Sequence, residues 1–230
     1  MPMQEVETQS DRTTASRADQ ARMAFVLRLR ARGVSDLNVL RALEMVPREL
    51  FVPHRHADLA WRDLALPIAC GQTMPEPYLV ARMMEGLQVE RNMRVYEIGT
   101  GSGYATAILA MLAGEVVSCE RYRMLALQAT MRLEQMRVDN VRVDWRDGLV
   151  PASELGVFDR ILIHGSLGEI SRGLLSALAP AGLIVCAQND TDGRAQLVRI
   201  ARARAGDGLA VTSLTPCRLG PLTAGKSAEL

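Results

Sequence analysis

The 230-residue sequence predicts an α/β fold. The expected architecture is a doubly wound, mostly parallel sheet with an N-terminal helical extension and a C-terminal β-hairpin. Three features carry this. Beyond residue 90, short β-branched runs alternate with longer Ala/Leu/Met-rich segments, the rhythm of a parallel sheet covered on both faces. A glycine-rich turn joins the first of these runs directly to a helical pattern. The last two apolar runs flank Gly206-Asp207-Gly208 with no helix between them, as in a hairpin.

The elements follow in order. Residues 1–17 are polar and Ser/Thr-rich and read as a disordered arm. The run Ala-Phe-Val-Leu-Arg-Leu-Arg-Ala-Arg-Gly then has apolar residues at helical spacing, with Gly33 as its stop. The five arginines between Arg17 and Arg32 read as a solvated helix face. Ser35 is expected to cap a second helix that runs to Met45 and ends at Val46-Pro47. Strands are expected at 94–98, 115–119, 141–145, 160–164, 183–187, 196–202 and 209–214, and helices at 104–112, 124–136 and 170–178. This divides the chain into the arm, an extension with an acceptor-side loop (18–90), a core (91–220) and a frayed tail (221–230).

Composition narrows the function. Lys+Arg 27 against Asp+Glu 26 gives a net charge of +1, without the basic footprint of a duplex-DNA binder. No apolar run approaches the ~18 residues of a membrane span. The polar, acid-bearing start is not a secretory leader. Cys70, Cys119, Cys186 and Cys217 are scattered with no C-x-x-C, so they read as reduced thiols of a cytoplasmic protein. His54-x-His56 lacks a third ligand, so no metal is expected. Nothing in the pattern specifies an oligomeric state.

Chemistry concentrates at Val95-Tyr96-Glu97-Ile98-Gly99-Thr100-Gly101-Ser102-Gly103-Tyr104. Glycines at a strand-to-helix turn let backbone approach a ligand, and the helix start offers free N–H groups. A dinucleotide site wants G-x-G-x-x-G/A; here the third glycine comes one residue early and Tyr104 takes the small residue's place. Glu97 would repel a pyrophosphate but attract an ammonium or sulfonium. Glu120 ends the second strand, where a carboxylate can take both ribose hydroxyls, and Asp147-Gly148 ends the third, where one can accept from an adenine amine. A positively charged adenosine derivative, S-adenosylmethionine, fits this set, with S-adenosylhomocysteine as the product.

Val46-Pro47-Arg48-Glu49-Leu50-Phe51-Val52-Pro53, Leu66-Pro67-Ile68, Gly71-Gln72-Thr73 and the 97–104 turn resemble the protein-L-isoaspartate O-methyltransferase family. Phe158-Asp159-Arg160-Ile161 and the leucine, proline and glycine pattern from Leu174 to Gly182 extend the resemblance over roughly 36–215. It implies a class I methyltransferase fold, Rossmann-like, that methylates a carboxylate of damaged aspartyl residues in a protein or peptide. It also implies cofactor contacts at Glu97, Gly99, Gly101, Ser102, Gly103, Glu120, Asp147 and Gly148, with Gln72, Thr73 and Met74 near the methionine end.

The chain departs from the family on the acceptor side. The family loop reads T-I-S-x-P; here it is Thr73-Met74-Pro75-Glu76-Pro77. Pro75 stands at the serine position and has neither hydroxyl nor N–H. Glu76 adds an acid where an anionic acceptor should arrive. Thr73 and His164 remain as candidate catalytic residues, His164 as the base that an amine or hydroxyl acceptor would need. A different acceptor, or a silent cofactor-binding scaffold, are the alternative readings.

Overall fold

A computed structural model describes residues 9–202 and 208–227. Helix α1 (Gln9–Ala31) leads to Gly33 at φ +91°, and Val34 N–H closes back on the Leu29 carbonyl. Residues 1–8 of the expected arm lie outside the described residues. Its remainder, 9–17, is helical, because no Gly or Pro interrupts the run from Gln9 to Ala31. Helix α2 (Leu37–Met45) is capped by Asp36 rather than Ser35: the Asp36 carboxylate accepts from the N–H groups of Asn38 and Val39. Ser35 is held in the loop instead, its N–H donating to Glu85 at 2.7 Å.

Strands β1 (Leu66–Pro67) and β2 (Thr73–Met74) form a small antiparallel pair. Helix α3 (Pro77–Leu87), not foreseen from the sequence, starts on a proline at a position that needs no N–H donor. It ends where Gln88 turns left-handed at φ +52°.

The central sheet has β3 (Arg94–Ile98), β4 (Glu115–Glu120), β5 (Val141–Trp145), β6 (Phe158–Ser166), β7 (Leu178–Asn189), β8 (Ala195–Arg202) and β9 (Leu209–Pro216), in the order β5-β4-β3-β6-β7-β8-β9. β5 through β7 are parallel; β8 and β9 are antiparallel. The predicted hairpin is therefore present, although Gly206 and Asp207 of its turn lie outside the described residues. Helices α4 (Tyr104–Leu112), α5 (Arg123–Gln135) and α6 (Arg172–Ser176) connect the parallel strands. The last is shorter than the expected 170–178 because Ser171 caps it by accepting from Leu174 N–H, and Leu178 already pairs with Phe158 in the sheet.

Strand residues alternate between two packed faces. Val95, Val116, Leu162 and Val185 join α1–α4 on one side. Tyr96, Val117, Ile161 and Ile184 join Leu174 of α6 on the other. Burial on both faces is why these strands read as continuous apolar runs. The sheet order reverses at β3, whose neighbours are β4 and β6. A crevice beyond the carboxyl ends of strands at such a switch point is where open α/β sheets bind ligands.

The tail is not frayed. Pro221 bridges to Ser166, Leu222 N–H donates to the Ser166 carbonyl, and Ser227 N–H donates to the Arg121 carbonyl. Lys226 lies 4.3 Å from the Trp145 ring centre. These contacts join residues 55 to 106 positions apart, with no local signature. Residues 228–230 lie outside the described residues.

Candidate active site

The turn after β3 is built on left-handed backbone: Gly99, Gly101 and Gly103 have φ of +93°, +57° and +90°, a region that L side chains rarely occupy. Gly99 and Thr100 N–H groups donate to the Cys119 carbonyl, which ties the loop to β4. A Cβ on Gly103 would lie 3.2 Å from Ala129 Cβ. Gly103 thus serves close packing on α5 and starts α4, outside the cavity wall that sequence reasoning gave it.

Beside the loop lies a cavity of about 110 Å³ lined by Gly99, Gly101, Glu120, Asp147, Gly148 and the tail residue Leu222. Glu120 is 4% exposed. Its oxygens accept from Gly101 N–H at 2.8 Å and Tyr122 N–H at 2.9 Å. Burial lifts its carboxyl above the usual glutamate value, and those backbone donors offset part of the rise. Asp147 accepts from Leu149 N–H at 2.9 Å and from Gly225 N–H at 2.7 Å. Both carboxylates keep acceptor capacity beyond these bonds. Two such acceptors against the apolar Ile68, Ile98 and Leu149 suit the hydroxyls, amine and flat base of an adenosine. Sequence reasoning missed the tail residues Leu222 and Thr223 of this cavity; nothing in their local sequence marks them.

An adjoining space of about 60 Å³ takes in Thr73, Met74, Ser102 and Gly101. Met74 and Ser102 meet there, the hydroxyl donating to Met74 Sδ at 3.3 Å. A larger cleft of about 650 Å³ opens next to these, lined by Thr73, Pro75, Glu76, His164 and Arg218, and shares Gln72, Thr73 and His164 with the cavity of about 110 Å³. Gln72 and Thr73 therefore sit at the junction of the two cavities.

Glu97 is a correction. Its carboxylate is fully buried and lines none of these cavities. Oε2 accepts from Thr106 and Ser118 hydroxyls, both at 2.6 Å, and Oε1 faces His164 Nε2 at 2.9 Å. Side chains alternate along a strand, yet the loop's own turn decides which of them the ligand meets.

Arg48, from the Val-Pro-Arg segment, anchors the acceptor loop. It is fully buried, and Nη2 donates to the carbonyls of Leu64 (3.2 Å) and Pro75 (3.0 Å). The guanidinium lies 5.2 Å from the Tyr104 ring centre. Burial without a carboxylate at hydrogen-bond distance pushes its pKa down to about 10.

No helix is long and apolar enough to cross a membrane among the described residues, and no group of three or more His, Cys, Asp or Glu there could hold a metal.

The family model for protein-L-isoaspartate(D-aspartate) O-methyltransferase matches residues 20–227. The chain is 44% identical over 209 residues to protein-L-isoaspartate O-methyltransferase 2 of Rhodopseudomonas palustris strain HaA2, covering 91% of this chain and 95% of that one. It is 47% identical over 185 residues to the Nitrobacter winogradskyi protein-L-isoaspartate O-methyltransferase, covering 80% and 85%. In structure it is similar to a protein-L-isoaspartate O-methyltransferase, with TM-score 0.75 and 24% identity over 88% of this chain and 66% of the other. The Plasmodium falciparum protein, described as a putative isoaspartate methyltransferase in complex with S-adenosyl-L-homocysteine, gives TM-score 0.73 at 22% identity, covering 87% and 97%. These two likenesses speak for the fold.

Proposed function

The chain belongs to the protein-L-isoaspartate O-methyltransferase family, and from that premise we propose which of its residues hold the cofactor and which meet the acceptor. The enzyme is an S-adenosylmethionine-dependent methyltransferase acting on a carboxylate of damaged aspartyl residues in proteins. The cofactor, when bound, supplies an electrophilic methyl group on a sulfonium.

In this reading Glu120 accepts from the ribose hydroxyls and Asp147 from the adenine amine, while Gly99 and Gly101 keep the wall thin enough for close approach. Gln72 and Thr73 flank the methionine end. The acceptor enters through the larger cleft and meets Thr73, Pro75 and His164. The supporting observation is the shared wall: Gln72, Thr73 and His164 line both the cofactor-side cavity and the cleft. A carboxylate acceptor is already an anionic nucleophile at pH 7, so the chain's work is to desolvate it and hold it in line. Arg48 acts indirectly, fixing the Pro75 carbonyl and with it the loop's path.

Repair of aged protein in a reducing cytoplasm is the role this suits. Cys119 and Cys186 are buried unlinked thiols, and burial holds them protonated, with pKa values pushed up to about 11 and about 12. The test is turnover to S-adenosylhomocysteine with isoaspartyl, aspartyl and C-terminal carboxylate peptides side by side. Preference for the isoaspartyl peptide is expected; equal or absent turnover on all three would overturn the assignment of acceptor.

A further inference from the structure

A carboxylate acceptor has no proton to give up, yet a carboxylate–imidazole pair stands at the junction of the two cavities. We propose that Glu97 and His164 form a general base that extends methyl transfer to a second acceptor class, a peptide amine. The proposal rests on the S-adenosylmethionine-dependent reading above.

The geometry begins with the buried carboxylate. Oε2 of Glu97 is taken by two hydroxyl donors, and Oε1 faces His164 Nε2 at 2.9 Å. An ionised carboxylate only accepts, so Nε2 carries the hydrogen of this contact, and in the neutral imidazole Nδ1 is then the free acceptor. Ser118, spent as donor to Glu97, must accept from Thr100 in their mutual hydrogen bond. The network is thus directional from end to end, and it orients the ring as the carboxylate of a catalytic triad does. His164 keeps 10% of its side chain exposed, against none for Glu97. Its neighbour across the switch point is Gly99, where a Cβ would come within 3.2 Å of His164 Cβ.

The cleft wall selects the acceptor. Glu76 is half-buried there; it feels the charge of the buried Arg48 but forms no ion pair at contact distance among the described residues. Asp63, in the same wall, is already bound to Arg32 and to Tyr78 N–H. Arg218 faces the cleft from an exposed position, where solvent screens its charge. Pro75 presents no donor to an anion, and an amine needs none from it. An ammonium is attracted by Glu76, and its proton has a receiver in His164.

The step balances. Nδ1 of His164 takes one proton from R–NH3+, leaving R–NH2 and an imidazolium paired with Glu97. The nitrogen lone pair forms a bond to the methyl carbon as the carbon–sulfur bond breaks, its electrons passing to sulfur. The products are R–NH2–CH3+ and S-adenosylhomocysteine, and His164 returns its proton to water through the cleft.

The full-length protein is given S-adenosylmethionine with two C-amidated peptides. One is also N-acetylated and isoaspartyl, without amines; the other has a free α-amine and a lysine, without acids. Mild alkali removes methyl esters and leaves N-methyl groups, so mass spectrometry separates the products. The amine peptide is expected to gain an alkali-stable methyl. His164→Asn should lower that rate by about 100-fold or more, within the usual range for a general base, and the amine-to-carboxyl ratio by at least about 30-fold, since the carboxylate has no proton to lose. Glu97→Gln should lower the same ratio. Independently of turnover, 15N NMR of the resting protein should show His164 hydrogen-bearing at Nε2, a preference lost in Glu97→Gln. S-adenosylhomocysteine titration checks that each variant is folded and competent. Ester formation with no alkali-stable product overturns this proposal alone. Amine methylation without ester formation supports it and overturns the carboxylate reading. An equal fall of both rates in His164→Asn reduces the dyad to a structural role and overturns it.

Discussion

Gly225 N–H donates to Asp147 Oδ2 at 2.7 Å, so a residue near the end of the chain grips a carboxylate at the carboxyl end of β5. The same tail segment is held by Arg121, whose Nε donates to the Gly225 carbonyl at 3.0 Å. The tail residues Leu222 and Thr223 therefore close one wall of the cavity beside the glycine turn, and Asp147 is oriented from two sides, by Leu149 and by Gly225.

Removing residues 221–230 is expected to weaken S-adenosylhomocysteine binding at least tenfold, about 1.4 kcal/mol, measured by titration calorimetry. The loss comes from the wall residues Leu222 and Thr223 and from freeing Asp147. Unaltered affinity would mean that the tail packs on the fold without contributing to the site.

Glu120→Ala should cost about 1.5–3 kcal/mol of cofactor affinity, the range for hydrogen bonds to a charged group. Burial raises the folded-state pKa of Glu120. A raised carboxyl pKa adds stability below the unfolded value and loses it as pH rises through the folded one. Cofactor affinity runs the other way, because the ionised form is the better acceptor. Affinity should thus fall on acidification while ordinary glutamates are still ionised, and Glu120→Gln should flatten that dependence. A wild-type profile that stays level down to the ordinary glutamate range would contradict the assignment.

Arg48→Met removes a buried cation that has no carboxylate at hydrogen-bond distance. Replacing buried charge by an apolar side chain of similar length is often neutral or stabilising, so denaturant unfolding should shift by less than about 1.5 kcal/mol. The Pro75 carbonyl loses its anchor, however, and KM for an isoaspartyl peptide should rise several-fold with cofactor affinity unchanged. Severe destabilisation with an unchanged KM would place Arg48 in the core alone.

Pro75→Ser restores a hydroxyl and an N–H to the acceptor loop. Each charged hydrogen bond regained is worth about 1.5–3 kcal/mol, so carboxyl methylation of an isoaspartyl peptide should rise at least tenfold. Combining it with Glu76→Gln removes the repelling acid and should raise the rate further. If the single variant is no faster than wild type, donors at this position do not limit the reaction.

Much of the fold was legible because its signals are local. Strand 94–98 and helix 104–112 are found at their expected bounds, since an apolar run buried on both faces and a glycine turn into a helix are properties of ten contiguous residues. Helix α3 escaped because Pro77 and the glycine at 86 mask a pattern that tertiary packing supports: a Cβ on Gly86 would meet Leu214 Cδ1 at 2.5 Å, an approach no local reading can foresee.

The site divides in the same way. Glu120, Asp147 and the glycines at 99 and 101 could be placed from the sequence because strand ends and positive-φ turns dictate where they lie. Orientation could not. Glu97 shares the motif with the glycines but is drawn inward by Thr106, Ser118 and His164. The tail that looked free is fastened to Arg121 and Asp147. Sequence alone determined which elements form and which residues reach the carboxyl edge of the sheet. Which way a side chain turns there, and which distant segment covers it, were decided by tertiary structure, because a buried carboxylate must find its donors wherever the folded chain brings them.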